Sequence, residues 1–173
     1  FRNAFQVSPE RIAAMNDEDL NVLMGQLLRA QAYRCGSPLN EIRVNTEGRA
    51  KDDGCDGWSA KPETPDDWLG STDTCWQFKA GSSGEPARLA GEVTKRIPKK
   101  TLTSGGRYVV VASGSTSGKP GEARRLARLI ADARVAKIRT EQIQVIGSES
   151  LTTWCNQHPA VAAHWAGRPP GLW

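Results

Sequence analysis

Apolar residues recur along this chain with two distinct periods. Leu20, Leu23, Met24, Leu27 and Leu28 follow one another at 3-1-3-1 spacing, the stripe of an amphipathic helix. Asn16 is placed to cap that helix, with Asp17, Glu18 and Asp19 in the first turn, where acids complement the helix dipole. The stripe ends near Cys35-Gly36, and Ser8-Pro9-Glu10 predicts a short helix ahead of it. The pattern then shortens to period two in Ile42-Arg43-Val44, in Trp58-Ser59-Ala60 and in Thr74 to Lys79, predicting three strands. Arg107 to Ala112 is a continuous β-branched run, the mark of a strand covered on both faces, and Ile143 to Gly147 predicts a last strand. Helices are predicted over Glu85–Lys95 and Glu122–Val135, and from a Ser150 cap through Trp154. In the second of these, Ala123, Leu126, Ala127, Leu129 and Ile130 should face inward and Arg124, Arg125 and Arg128 outward. Strands separated by helices imply an α/β domain with a central mixed sheet flanked by helices. Residues 1–15 read as an N-terminal extension, 16–165 as one domain and 166–173 as a tail or linker.

Composition narrows the class. The chain has 173 residues, 38% hydrophobic and 24% charged, as in an ordinary globular domain. No apolar run approaches the roughly 20 residues of a membrane-spanning helix, and the N-terminus lacks the basic head and apolar run of a secretory signal. Four cysteines (Cys35, Cys55, Cys75, Cys155) form no CxxC pair, which suits a reduced, cytoplasmic protein. Cys155, His158 and His164 have C-x2-H-x5-H spacing, but Pro159 interrupts them, so buried or capping roles are expected rather than zinc ligation. Charge is polarised. Residues 1–87 carry nine Lys/Arg against fourteen Asp/Glu, whereas residues 88–139 carry thirteen against three. Such a basic segment suits a polyanion, without naming it.

Two short segments carry candidate chemistry. Lys51-Asp52-Asp53-Gly54-Cys55-Asp56-Gly57 crowds three carboxylates into a glycine-rich turn entering a strand. Trp76-Gln77-Phe78-Lys79 puts Gln77 and Lys79 on one side of the next strand, because side chains repeat every two residues. If the two strands pair, an acid, an amide oxygen and an ammonium converge at one end of a hairpin. Phosphodiester hydrolysis uses those parts: hard oxygen ligands for Mg²⁺ or Mn²⁺, from Asp56 and more weakly Gln77, and an ammonium beside the attacking water. Cys75 and Phe78 should point away into packing, with Trp76 beside Phe78 only if the strand is bulged. Glu41 and Glu47 are spare acids for which surface roles are expected. No GxxxxGK[ST] phosphate loop occurs; GSTSGKPG has too short a spacing.

The succession of a helix, a D-G-C-D-G turn, a strand, QxK, a helix, VVVA, a helix and IQVIG resembles the PD-(D/E)XK nuclease superfamily, and most of all Mrr-like, defence-type endonucleases. The likeness covers roughly residues 16 to 155. It implies a restriction-endonuclease-like core with Asp56 as the metal-binding acid, Gln77 as the second-motif residue and Lys79 as the catalytic lysine. Where the family's helix usually carries Glu this chain has Asn21, and Glu18 is the nearest acid that would join the metal. The resemblance further implies a Mg²⁺-dependent DNA endonuclease. Double-stranded DNA would be gripped by Arg88, Lys95, Arg96, Lys99 and Lys100, on and after the helix that follows the lysine strand. Such domains serve as effectors in restriction or antiphage defence, including at the N-termini of STAND-type NTPases, so a homo-oligomer or a fused NTPase or sensor is the expected partner. The alternative is a catalytically silent nuclease-like module that binds DNA or protein.

Overall fold

The computed structural model describes residues 5–45, 53–114 and 118–167. Lys51, Asp52, Glu47 and residues 168–173 lie outside them. The chain forms an α/β fold around a five-stranded mixed sheet, in the order β1 (Ile42–Val44), β2 (Gly57–Ser59), β3 (Thr74–Lys79), β4 (Arg107–Ala112), β5 (Ile143–Gly147). The first three strands are antiparallel neighbours, and β3, β4 and β5 run parallel.

Sequence order and spatial order coincide across β3, β4 and β5, so the two crossovers proceed in the same direction. Crossovers of one hand then leave their helices on one face. There, α3 (Arg96–Thr103) and α4 (Gly118–Val135) bury Leu102, Leu129 and Ala133 against Cys75, Tyr108 and Val110. The other face is covered by α1 (Pro9–Ala13), α2 (Asp17–Arg34), α5 (Ser148–Asn156) and α6 (Pro159–Ala166), which bring Ile12, the leucine stripe, Trp154 and Trp165 onto Trp76, Phe78, Val109 and Val111. All six residues of β4 are buried, as its unbroken apolar run predicts. Asn16 caps α2 through the Asp19 amide. Residues 5–15 contribute Val7, Ile12 and Met15 to the core, and Asn156 of α5 ties them down by bonds to the Val7 amide and carbonyl.

Several expectations need correction. Residues 85–95 do not form one helix. They form two 3-10 turns, Pro86–Leu89 and Glu92–Thr94, separated at Gly91, whose φ of 76° lies in the left-handed region that glycine favours. The helix comes later, as α3, and accepts Pro98 because its first turn has no intrahelical use for that N–H. In α4, which starts at Gly118 ahead of the expected Glu122, Arg125 is buried, donating to the Gly84 carbonyl at 2.6 Å, while Ala123 and Ala127 are exposed. The helix expected from Ser150 begins at Ser148, and a further helix, α6, follows it. Along β3 the pairing with β4 runs unbroken from Thr74 to Lys79, so no bulge exists. Trp76 and Phe78 share one face by simple alternation, and Cys75 lies on the same face as Gln77 and Lys79.

Candidate hydrolytic site at the carboxyl end of β3

The start of β2 meets the carboxyl end of β3, and a tight turn fixes how. Asp53 and Gly54 both have positive φ, 48° and 90°. The turn is pinned to β3 by the Asp56 amide on the Trp76 carbonyl (2.8 Å) and by the Cys75 thiol on the Gly54 carbonyl (3.6 Å). From the other side, α3 closes over it: the Ile97 amide bonds the Asp53 carbonyl, and Arg96 pairs with the Asp53 carboxylate through Nε at 3.0 Å. At Gly57 an added Cβ would lie 3.0 Å from Phe78 Cζ, so the packing of the Phe78 ring against this turn favours glycine directly after Asp56.

This turn brings two of the expected residues into contact. Asp56 Oδ2 accepts two N–H groups, from Gln77 Nε2 and from the Phe78 backbone, each at 2.6 Å. Two donors on one oxygen fix the carboxylate against the strand. Gln77 is 3% exposed, and its Oε1 has no hydrogen-bond partner among the described residues. Lys79 lies two residues further along the same face, partly exposed. Its ammonium is 3.1 Å from Glu92 Oε1. Glu92 Oε2 in turn sits 2.8 Å from Lys95 Nζ, a close pair set off the hydrogen-bond direction. Glu92 is therefore a 7% exposed carboxylate between two lysines.

Behind the site, the hydroxyl of Tyr108 is buried without a partner among the described residues. Burial first, then the neighbouring Cys75, Glu92 and Asp56, pushes its pKa well above the ordinary tyrosine value, so the phenol stays neutral. Gln77 Oε1 and the Tyr108 hydroxyl are thus two buried polar atoms without partners among the described residues, on the face that holds Asp56, the condition that a bound water or ion relieves. The donor set, a fixed carboxylate and a hard amide oxygen, suits Mg²⁺ or Mn²⁺, which keep several waters and take few protein ligands.

The other expected residues are distributed as follows. Glu18 is exposed in the first turn of α2; the acid of that turn with a bond to the end of β3 is Asp17, whose Oδ1 accepts the Ala80 amide at 3.4 Å. Arg88, Lys99 and Lys100 are exposed and form no ion pair among the described residues, whereas Lys95 and Arg96 are engaged by Glu92 and Asp53. Among the described residues no three of His, Cys, Asp and Glu converge as a metal-ligating group, which removes the Cys155, His158, His164 set. Cys155 is buried, its thiol pushed up to about 12 by that burial, and His158 bonds Gln31. Glu92 and Asp17 were not singled out from sequence. The signal for Glu92 was its isolation, as one of only three acids within residues 88–139. No described helix is long and apolar enough to cross a membrane. Comparison with family models, with curated proteins and with solved structures finds no match for this chain.

Proposed function

We propose that the chain is a divalent-metal-dependent DNA endonuclease domain of the PD-(D/E)XK type, acting as an effector in restriction or antiphage defence. One observation carries the reading: Asp56 and Gln77 meet at the carboxyl end of β3, with Lys79 on the same face two residues on. Asp56 and Gln77 would hold the ion, which when bound neutralises the phosphate and lowers the pKa of a coordinated water. The protein's own contribution is positional. Two N–H donors hold the Asp56 carboxylate in orientation, and Glu92 fixes where the Lys79 ammonium sits. An ammonium there stabilises the negative charge that develops on the phosphoryl oxygens. Arg88, Lys99 and Lys100, exposed and without ion-pair partners among the described residues, supply backbone contacts.

One observation favours the second reading, a nuclease-like binding module without turnover: the Lys79 ammonium is already bonded to a carboxylate. Incubation with plasmid and with linear duplex separates the two. We expect cleavage with Mg²⁺ or Mn²⁺, none in EDTA, and a fall of at least about a hundredfold in Asp56→Asn and in Lys79→Ala with DNA binding retained. Cleavage that survives both substitutions removes the site assignment; binding without cleavage by the wild-type chain selects the second reading.

A further inference from the structure

Under α3, on the same sheet face as Gln77 and Lys79 but toward the other end of β3, lies a cavity of about 330 Å³. Its walls include Trp58, Asp73, Ile97, Lys100 and Ser104. We propose that it is a nucleobase-binding pocket.

The indole of Trp58 is the first reason. The four other tryptophans among the described residues each donate their ring N–H to a side-chain oxygen: Trp68 to Gln157 (2.8 Å), Trp76 to Ser59 (2.9 Å), Trp154 to Gln31 (2.9 Å) and Trp165 to Gln26 (2.7 Å). Trp58 has no such bond among the described residues, although it is half-buried and packs against the α3 layer. A tryptophan whose body is packed and whose N–H is not taken by a described residue lines the cavity with an aromatic surface.

The rest of the lining selects the ligand class. Ile97 supplies an apolar wall, and the polar groups are of both kinds: the Lys100 ammonium donates, the Ser104 hydroxyl does either, and the Asp73 carboxylate accepts. Asp73 Oδ1 takes the Lys61 amide at 2.7 Å, leaving Oδ2 for an amino group. A simple anion would be opposed by Asp73, and an aliphatic ligand would leave the charges uncompensated. A flat heteroaromatic ring with donors and acceptors on its edge uses every wall. The size lies within the roughly 300–1,000 Å³ range of small-ligand sites.

The surroundings supply the rest of a nucleotide. A second cavity, of about 480 Å³, shares Ser104 with the first and is lined by Lys137 and Arg139. Both cations are exposed and form no ion pair among the described residues, so a sugar-phosphate leaving the base pocket meets positive charge. Trp58 pairs with Cys75, two residues before Gln77, about 7 Å along the strand. The pocket thus adjoins the proposed hydrolytic site, and a base held there belongs to an unpaired or extruded nucleotide, since duplex stacking denies it.

This deepens the nuclease reading and rests on it for the strand that supplies the base; binding itself needs no turnover. The test is equilibrium binding by the full chain in EDTA, with the four nucleoside monophosphates, a single strand of about twelve nucleotides and the same strand made abasic. Removing the bases should weaken strand binding about fivefold or more, as should Trp58→Leu. Ser104→Tyr, an exposed position at the mouth, should do the same by filling the cavity, which guards against a folding defect in the tryptophan variant. The Trp58 indole N–H resonance should move on addition of ligand while those of Trp76 and Trp154 stay. Saturable mononucleotide binding marks a free nucleotide as sufficient; base-dependent strand binding without it marks the strand as the source. Equal affinity for intact and abasic strands with no mononucleotide binding overturns the pocket, as does binding that ignores Ser104→Tyr. Loss of cleavage with base-dependent binding intact would count against the nuclease reading alone.

Discussion

Single buried polar groups in this molecule are coupled, and Gln31 shows the consequence most directly. Its Nε2 donates to Asp66 Oδ2, and its Oε1 accepts the Trp154 indole N–H at 2.9 Å while lying 2.7 Å from His158 Nε2. An amide oxygen carries no proton, so His158 must bear its hydrogen on Nε2. The imidazole is 6% exposed; burial first, then the nearby Arg34, lowers its pKa below the ordinary 6.5, with Asp66 opposing them. The sign follows from proton uptake. Below about pH 6.5 the unfolded chain binds a proton that the folded chain resists, so stability falls as pH drops from there toward the folded-state pKa. The urea midpoint should therefore be lower at pH 5.5 than at pH 7.5. His158→Gln should lose about 1–2 kcal/mol at pH 7.5 through the weakened network yet show a flatter acid limb. An unchanged limb in that variant would move the effect to another group.

At the scale of elements, the hairpin of β2 and β3 delivers the candidate site, and Gly57 controls it. Methyl-bearing alanine there would press on Phe78 Cζ at 3.0 Å and on Trp76 Cβ at 3.4 Å, both in a packed core that yields little. Gly57→Ala should cost about 1–3 kcal/mol in urea unfolding and loosen the contact between Asp56 and Gln77, whereas Gly81→Ala, with nothing within 4 Å of its added carbon but a φ of 53°, bears only the backbone term. What was legible beforehand was local. Period two in Thr74–Lys79 and the apolar run in Arg107–Ala112 announced strands, and the same alternation placed Gln77 beside Lys79. What was not legible depended on tertiary partners. Residues 85–95 have helical composition, but the left-handed Gly91 divides them, and its amide is held by Asp132 of α4 at 3.0 Å. Arg125 looked like a solvent residue until a carbonyl from another segment, that of Gly84, became its acceptor. Glu92 could be recognised as the partner of Lys79 only once the turn carrying it was folded over β3.

Across the whole molecule the polarity of charge is less than the count suggests, and the difference is measurable. Of the thirteen cations in residues 88–139, Lys95, Arg96 and Arg128 are in ion pairs with Glu92, Asp53 and Asp132. Two more are buried: Arg125, also paired with Glu85 at 3.9 Å, and Arg107, which donates to Thr74, Gln144 and the Trp68 carbonyl and lies over the Trp76 ring. Burial lowers Arg107 to about 10, still charged at neutral pH, with Asp66 offsetting part of the cost. Among the described residues, the eight of these cations that remain are outside ion pairs. Each one that meets a DNA phosphate releases a counterion and steepens the fall of affinity with salt, by about one unit of logarithmic slope per contact. Lys99→Ala and Arg88→Ala should each reduce that slope by about one. Arg96→Ala should change it by clearly less, because the arginine's charge is already balanced by Asp53 and no net counterion is released on its account. Fluorescence titrations of a labelled duplex from about 50 to 200 mM salt read the slopes directly. Equal reductions in all three variants would mean that DNA breaks the Arg96–Asp53 pair on binding, and no reduction in any would place the contact surface away from α3.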